Sequence, residues 1–95
     1  MHEIKKGNQR FYIGEAEDKA IAEITWVPSR ENVIIVDHTY VSDELGGQGV
    51  GKKLVDRVAR MAEEEELKII ATCPFAQKVI ARSEHYQNLL LDLEV

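Results

Sequence analysis

A glycine-rich segment in the middle of the chain limits which folds this sequence can adopt. Four of the six positions 46–51 are glycine, and Lys52 and Lys53 follow directly. When such a turn leads from a strand into a helix, its backbone N–H groups converge at the positive end of the helix dipole. Phosphate or pyrophosphate is the ligand that this arrangement suits. A tight turn whose glycines only supply positive φ is the alternative, but the number of glycines and the two lysines favour a ligand.

The segment before the loop has the pattern of antiparallel strands. β-branched and aromatic residues dominate positions 19–27 and 32–41, and Pro28-Ser29-Arg30-Glu31 supplies a turn between them. Positions 10–13 form an earlier strand of the same type, and positions 3–5 are a candidate edge strand. The sequence therefore predicts an N-terminal β-meander.

After the loop the apolar period changes to that of a helix. Val50, Leu54, Val58 and Met61 follow one another at spacings of four, four and three, up to the acidic run 63–66. A helix leads into the apolar strand 68–72, which makes this strand parallel to strand 32–41. A further helix runs from Pro74, and another helical piece is expected over 84–90. The fold class is α+β, with a mixed sheet in which a β-meander precedes a β-α-β-α unit.

Length and charge exclude several classes of protein. Ninety-five residues suffice for one domain, 1–95. The net charge of −5 disfavours nucleic acid and anionic membranes as partners, because both require a basic surface. No apolar run suits a membrane span or a signal core, and a lone cysteine fits a reducing compartment, so a cytoplasmic protein is expected. The three histidines lack ligand spacing, and no metal site is expected.

Two nucleotide-binding motifs partly match the loop. Gly46, Gly51 and Lys52 have the G-x-x-x-x-G-K spacing of a P-loop, but Lys53 occupies the place of the Ser or Thr that holds Mg²⁺. The other glycines give G-x-G-x-G, whereas a dinucleotide fingerprint requires G-x-G-x-x-G. Both motifs remain alternatives.

A third motif fits the loop together with the elements around it. Gly46-x-x-Gly49-x-Gly51, at the entrance to a helix that follows a β-meander, resembles the Q/R-x-x-G-x-G/A pyrophosphate loop of the GNAT superfamily of acyl-CoA-dependent N-acyltransferases. The order β-β-β-β-α-β-α agrees with that superfamily. The segment 38–41 leading to the loop, and Cys73 just after the next strand, resemble the minimal GNAT-like N-acetyltransferase family. The resemblance covers nearly the whole chain.

The resemblance implies how a cofactor would bind. The two parallel strands would splay apart at their C-terminal ends, and their open backbone groups would pair with the pantetheine amides of acetyl-CoA, the acyl donor. The thioester would then lie near Cys73. Gly46 stands where the superfamily has Gln or Arg, so weaker cofactor binding is expected, with Lys52 or Lys53 as candidate replacements. The residues implied in cofactor binding are Thr39, Tyr40, Val41, Gly46, Gly47, Gln48, Gly49, Val50, Gly51, Lys52 and Cys73.

Three residues are candidates for catalysis. Cys73 precedes a helix that begins with Pro74, and a helix N-terminus favours the nucleophilic thiolate. The cysteine either accepts the acetyl group, or lines the wall while an amine attacks directly, or is a packed thiol. His38 and Glu23 are candidate bases. Strand alternation puts His38 on the same face as Ile34, Val36 and Tyr40, where a packed core histidine is the alternative, and an exposed sheet face explains Glu23 equally well.

The sequence thus predicts an N-acetyltransferase that transfers acetyl from acetyl-CoA to an amine. The amine is not identified, and the protein is expected to be a monomer or weak homodimer. A CoA-binding module without efficient catalysis is the alternative function, because little chain is left to build an acceptor pocket.

Overall fold

A computed structural model describes residues 3–47 and 49–91, in which five strands form one mixed sheet and two helices pack on it. The strands lie in the order β1-β2-β3-β4-β5. Single 3₁₀ turns occupy Glu17–Lys19, Asp43–Leu45 and Gln87–Leu89. The main elements are β1 Lys5–Gly7, β2 Arg10–Gly14, β3 Ala20–Pro28, β4 Val33–Val41, α1 Val50–Glu64, β5 Lys68–Ala71 and α2 Pro74–Ala81. The predicted α+β class and the order of the elements are confirmed.

The first four strands form the predicted antiparallel meander. The edge strand β1 lies two residues later than predicted, because it pairs with β2 across a tight turn at Asn8 and Gln9. Gln9 has a φ of 55°, which such a two-residue hairpin turn requires. The edge of the sheet is therefore set by the turn rather than by the apolar pattern of positions 3–5.

The hydrophobic core lies between α1 and one face of the sheet. The predicted apolar stripe of α1 is buried throughout, from Val50 to Met61, and Leu54 and Val58 are fully enclosed. Phe11, Ile24 and Trp26 on the sheet belong to the same cluster. Truncating such an enclosed leucine typically costs about 2–5 kcal/mol of stability, so this contact fixes where the first residue of α1 lies relative to β4.

A β-bulge at Asp37 changes which residues of β4 face the helices. Val36 lies opposite Trp26 and His38 lies opposite Thr25, so Asp37 has no partner of its own on β3. Beyond the bulge Thr39 faces the core, whereas His38 is exposed on the reverse face of the sheet.

The sequence-based prediction for His38 is therefore wrong. It does not share a face with Ile34 and Val36, because the extra residue at Asp37 shifts the strand alternation by one position. Tyr40 moves to the reverse face for the same reason, and 44% of its surface is exposed.

The parallel strands β4 and β5 pair only over their first halves. Val33–Val36 pairs with Lys68–Ala71, and β4 then continues alone on that side to Val41. The amides of Thr72 and Cys73 both donate to the carbonyl of Val36, at 3.1 and 3.3 Å, which ends the ladder. The predicted splay of the two strands is present from this point onward.

The predicted helical piece over 84–90 is wrong, because only the 3₁₀ turn Gln87–Leu89 forms there. After this turn Leu90 bridges to Ile69, and the Leu91 amide donates to the Ile69 carbonyl at 2.7 Å. The chain extends here because it supplies hydrogen-bond partners to the outer edge of β5.

Candidate functional site

The glycine loop begins with a capped 3₁₀ turn and ends on two left-handed residues. Ser42 Oγ accepts a hydrogen bond from the Glu44 amide at 3.4 Å, and the Gly46 amide donates to the Asp43 carbonyl at 3.0 Å. Gly47 and Gly49 then have φ of 80° and 71°, a region that side-chain-bearing residues rarely adopt. A Cβ at either position would meet no atom within 4 Å. These glycines are therefore required by the backbone, and the space above them is open.

The start of α1 presents unpaired amides to this space. The first amide of the helix with an acceptor inside it belongs to Lys53, which donates to the Gly49 carbonyl at 3.1 Å. Val50, Gly51 and Lys52 occupy the first turn, whose amides have no acceptor within a helix. The first turn contains no acidic residue, so the helix dipole favours an anion here.

The structure qualifies the predicted role of the loop in one respect. The Gly46 amide already donates to Asp43, so it is not available to a ligand in this conformation. Gln48, another predicted contact residue, lies outside the described residues. The amides that face the open space come from the later glycines and the first turn of α1.

A cavity of about 460 Å³ joins the loop to the free edge of β4, and we call it the loop cavity. Thr39 and Val41 form its β4 wall, and Phe75 of α2 closes it on the other side. Gly51 allows this closure, because a Cβ there would lie 3.0 Å from the Phe75 ring. The predicted cofactor residues that line the cavity are Thr39, Val41, Gly46, Gly47, Gly49, Val50, Gly51 and Lys52.

Cys73 lies beside this cavity at the start of α2. It is the N-cap residue of the helix and is half-buried, and its Sγ is 3.5 Å from Thr39 Oγ1. Burial raises the pKa of the Cys73 thiol, but hydrogen bonding from the Ala76 amide, the Thr39 hydroxyl and the amides of Phe75 and Thr39 outweighs burial. The pKa therefore falls below its ordinary value, and the thiolate is favoured. Thr39 connects the two parts of the site, since it lines the cavity and contacts the sulfur.

The two candidate bases lie on the reverse face of the sheet. Glu23 is opposite Tyr40, and its carboxylate accepts a hydrogen bond from Arg10 Nη1 at 2.9 Å. His38 is exposed and lies opposite Thr25 on the same face. The structure thus brings Cys73, Thr39 and the loop together, and separates them from His38 and Glu23 by the thickness of the sheet.

Two features of the site escaped the sequence reasoning. Thr39 was expected to offer only backbone groups, but its hydroxyl is the side-chain partner of Cys73. Phe75 carried no expectation, although it lines the loop cavity and is 44% exposed. An aromatic residue directly after a helix-starting proline is the only signal in the sequence that could have indicated it.

Comparison with known proteins agrees with this geometry. A family model described as GCN5-related N-acetyl-transferase matches residues 10–89. Protein NATD1 of Gallus gallus is 27% identical over 88 residues, which cover 93% of this chain and 78% of that protein.

Solved structures show the same fold. The solution structure of a GCN5-like candidate N-acetyltransferase from Staphylococcus aureus is 53% identical, with a TM-score of 0.80 over 97% of this chain and 90% of that one. An aminoglycoside acetyltransferase from an uncultured soil metagenomic sample, in complex with sisomicin, has a TM-score of 0.58 at 18% identity and is similar in fold alone. It covers 79% of this chain, which spans 58% of that structure. The chain belongs to the family of GCN5-related N-acetyltransferases.

Proposed function

We propose that this protein binds acetyl-CoA in the loop cavity and transfers the acetyl group to an amine. One observation carries the proposal: the unpaired amides at the start of α1 and the free edge of β4 open onto the same cavity, beside Cys73. An anion site next to an open strand edge suits a ligand with a diphosphate at one end and amides further along.

The diphosphate is held by the amides of Gly47, Gly49 and the first turn of α1. Both glycines leave the space above the loop empty, so oxygen atoms can approach the backbone closely. Lys52 extends from the first turn into the same cavity and supplies a positive charge. Because Gly46 offers neither a long side chain nor its amide, we expect weaker binding than a loop with Gln or Arg at that position would give.

The pantetheine arm pairs with β4 beyond Val36. Thr39 and Val41 line the cavity where β5 no longer pairs with β4. Backbone groups buried without partners cost free energy, so a ligand that supplies amide partners is favoured at this edge.

Acetyl transfer can follow two routes at this site. In one, a deprotonated amine attacks the thioester carbonyl, the C–S bond breaks, and the CoA sulfur leaves as a thiolate that takes up a proton. In the other, the Cys73 thiolate first displaces the CoA thiolate to form an acetyl-cysteine, which the amine then attacks. The lowered pKa of Cys73 supports the second route. Its half-buried position as the N-cap of α2 is compatible with either.

His38 is the better candidate for the base that accepts the proton of the amine. Its imidazole is exposed on the reverse face, next in sequence to Thr39. Glu23 is held by Arg10 at 2.9 Å, and proton uptake by the carboxylate would cost that ion pair. An amine approaching the splayed strands from the open face would meet His38 first.

A CoA-binding module without efficient catalysis is the second candidate function. The open face of the sheet favours it, because Tyr40 is 44% exposed there and no helix of the described residues packs on that face. Such a face leaves an amine with few groups to hold it.

Calorimetry and transfer assays separate these functions. We expect acetyl-CoA and CoA to bind and ATP not to compete, since the loop lacks the Ser or Thr that a P-loop uses for Mg²⁺. Release of CoA thiol with a mixed amine panel distinguishes a transferase from a binding module. Binding of ATP in preference to CoA would overturn the proposal.

Intact-mass analysis separates the two routes. On the covalent route, wild-type protein quenched during turnover gains one acetyl group, and Cys73→Ala gains none. Thr72→Val is the matched control, because Thr72 lies next to Cys73 but its hydroxyl bonds the Val36 carbonyl. Normal turnover by Cys73→Ala would leave only direct attack.

A further inference from the structure

A second cavity continues from the loop cavity into a groove between α1 and α2, and we call it the helix groove. Its volume is about 440 Å³. Lys52 and Phe75 line both cavities, so the two spaces adjoin at these residues. A ligand with its diphosphate on the glycine loop therefore has a lined path past Phe75.

The walls of the groove are apolar and its rim is basic. Val55, Val79 and the Phe75 ring line it, and Phe75 and Val79 lie four residues apart on one side of α2. Lys78 and Arg82 line it as well, again four residues apart. Flat apolar walls suit an aromatic base, whereas paired cations suit a phosphate monoester.

The basic groups of the groove are not neutralised within the described part of the chain. Neither Lys78 nor Arg82 forms an ion pair with a described carboxylate. Asp56 is the acidic residue of the groove, and it faces Tyr86: burial, followed by the Asp56 carboxylate, raises the pKa of the Tyr86 hydroxyl. In a chain with a net charge of −5, these cations mark a local positive surface.

We propose that the helix groove holds the nucleoside end of the coenzyme, with the base against Phe75 and Val79 and the ribose 3′-phosphate bound by Lys78 and Arg82. This inference rests on the proposed function. It makes Lys78 and Arg82 specificity residues that distinguish CoA from dephospho-CoA, which lacks the 3′-phosphate. The loop contacts are common to both ligands and do not discriminate between them.

Calorimetry with acetyl-CoA and acetyl-dephospho-CoA tests this assignment. We expect wild-type protein to bind acetyl-CoA about tenfold more tightly, since two charge-assisted contacts are lost with the phosphate. In Lys78→Gln/Arg82→Gln the ratio should fall to within about twofold, with the dissociation constant of acetyl-dephospho-CoA nearly unchanged. Lys19→Gln/Arg30→Gln removes the same charge at exposed positions away from the groove and should keep the wild-type ratio. Circular dichroism confirms that each variant folds.

The possible outcomes are distinct. Equal affinity of wild-type protein for the two ligands would overturn the inference while leaving the proposed function standing. A ratio that survives in the Lys78/Arg82 variant, or falls equally in the Lys19/Arg30 control, would also overturn it. If neither ligand binds, the proposed function fails and the inference fails with it. As a second readout, adenosine 3′,5′-bisphosphate should shift the NMR amide signals of α2 around Lys78, and an absence of shifts there would contradict the assignment.

Discussion

At the scale of single residues, the chemistry of Cys73 depends on a strand far away in sequence. The Thr39 hydroxyl lies 3.5 Å from its sulfur, and the Thr39 amide acts in the same direction on its pKa. The start of α2 adds the amides of Phe75 and Ala76. Burial alone would raise the pKa of a thiol, so these donors determine whether the sulfur is a nucleophile or a passive wall.

Replacing Thr39 with valine tests this dependence. Thr39→Val keeps the shape of the side chain but removes one donor to the thiolate, so the pKa of Cys73 should rise. The rate of alkylation by iodoacetamide follows the thiolate fraction, and its midpoint should therefore move to higher pH than in the wild type. Thr72→Val, in which the removed hydroxyl bonds the Val36 carbonyl, should leave the midpoint unchanged. An unshifted midpoint in Thr39→Val would mean that the backbone amides alone stabilise the thiolate.

At the scale of elements, local periodicity predicted the meander and α1, because each element has a pattern of its own. The buried stripe of α1 agrees with the apolar spacing, and Pro74 marks the start of α2. The bulge at Asp37 has no such local signal: the side chain of Thr25 bonds Asp37 Oδ1 at 2.8 Å across the strands. The sequence therefore named Thr39 and Cys73 correctly as neighbours of one cavity but assigned His38 to the wrong face.

The junction of α1 and α2 can be tested by a double-mutant cycle between Gly51 and Phe75. Alanine in place of a helical glycine should stabilise by up to about 1 kcal/mol, but its Cβ would lie 3.0 Å from the Phe75 ring. Gly51→Ala should thus be neutral or destabilising in the wild type and stabilising in a Phe75→Ala background. Urea denaturation of the four proteins measures the coupling, expected at about 1 kcal/mol. Additive effects would show that the exposed ring simply moves aside.

At the scale of the whole molecule, the sheet has one covered and one open face, and the site lies where the two faces meet. Both helices contribute to the core on the covered face, and they also bound the loop cavity and the helix groove. The open face contains Glu23, His38 and Tyr40. The splay of β4 from β5 is the gap through which the two faces communicate, so donor and acceptor can reach the same carbonyl from opposite sides.

Ligand binding should therefore stabilise the molecule unevenly. At an acetyl-CoA concentration of 100 times the dissociation constant, stability should rise by about 2.7 kcal/mol, which raises the Tm by about 10 °C or more for a domain of this size. Hydrogen exchange should slow at the amides of Gly47, the first turn of α1 and Val41, which would gain acceptors from the ligand. The hairpin turn at Pro28–Asn32, remote from both cavities, is the internal control and should exchange at its unliganded rate. Uniform slowing throughout the sheet, with no excess at the loop, would indicate global stabilisation by a ligand bound somewhere other than the glycine loop.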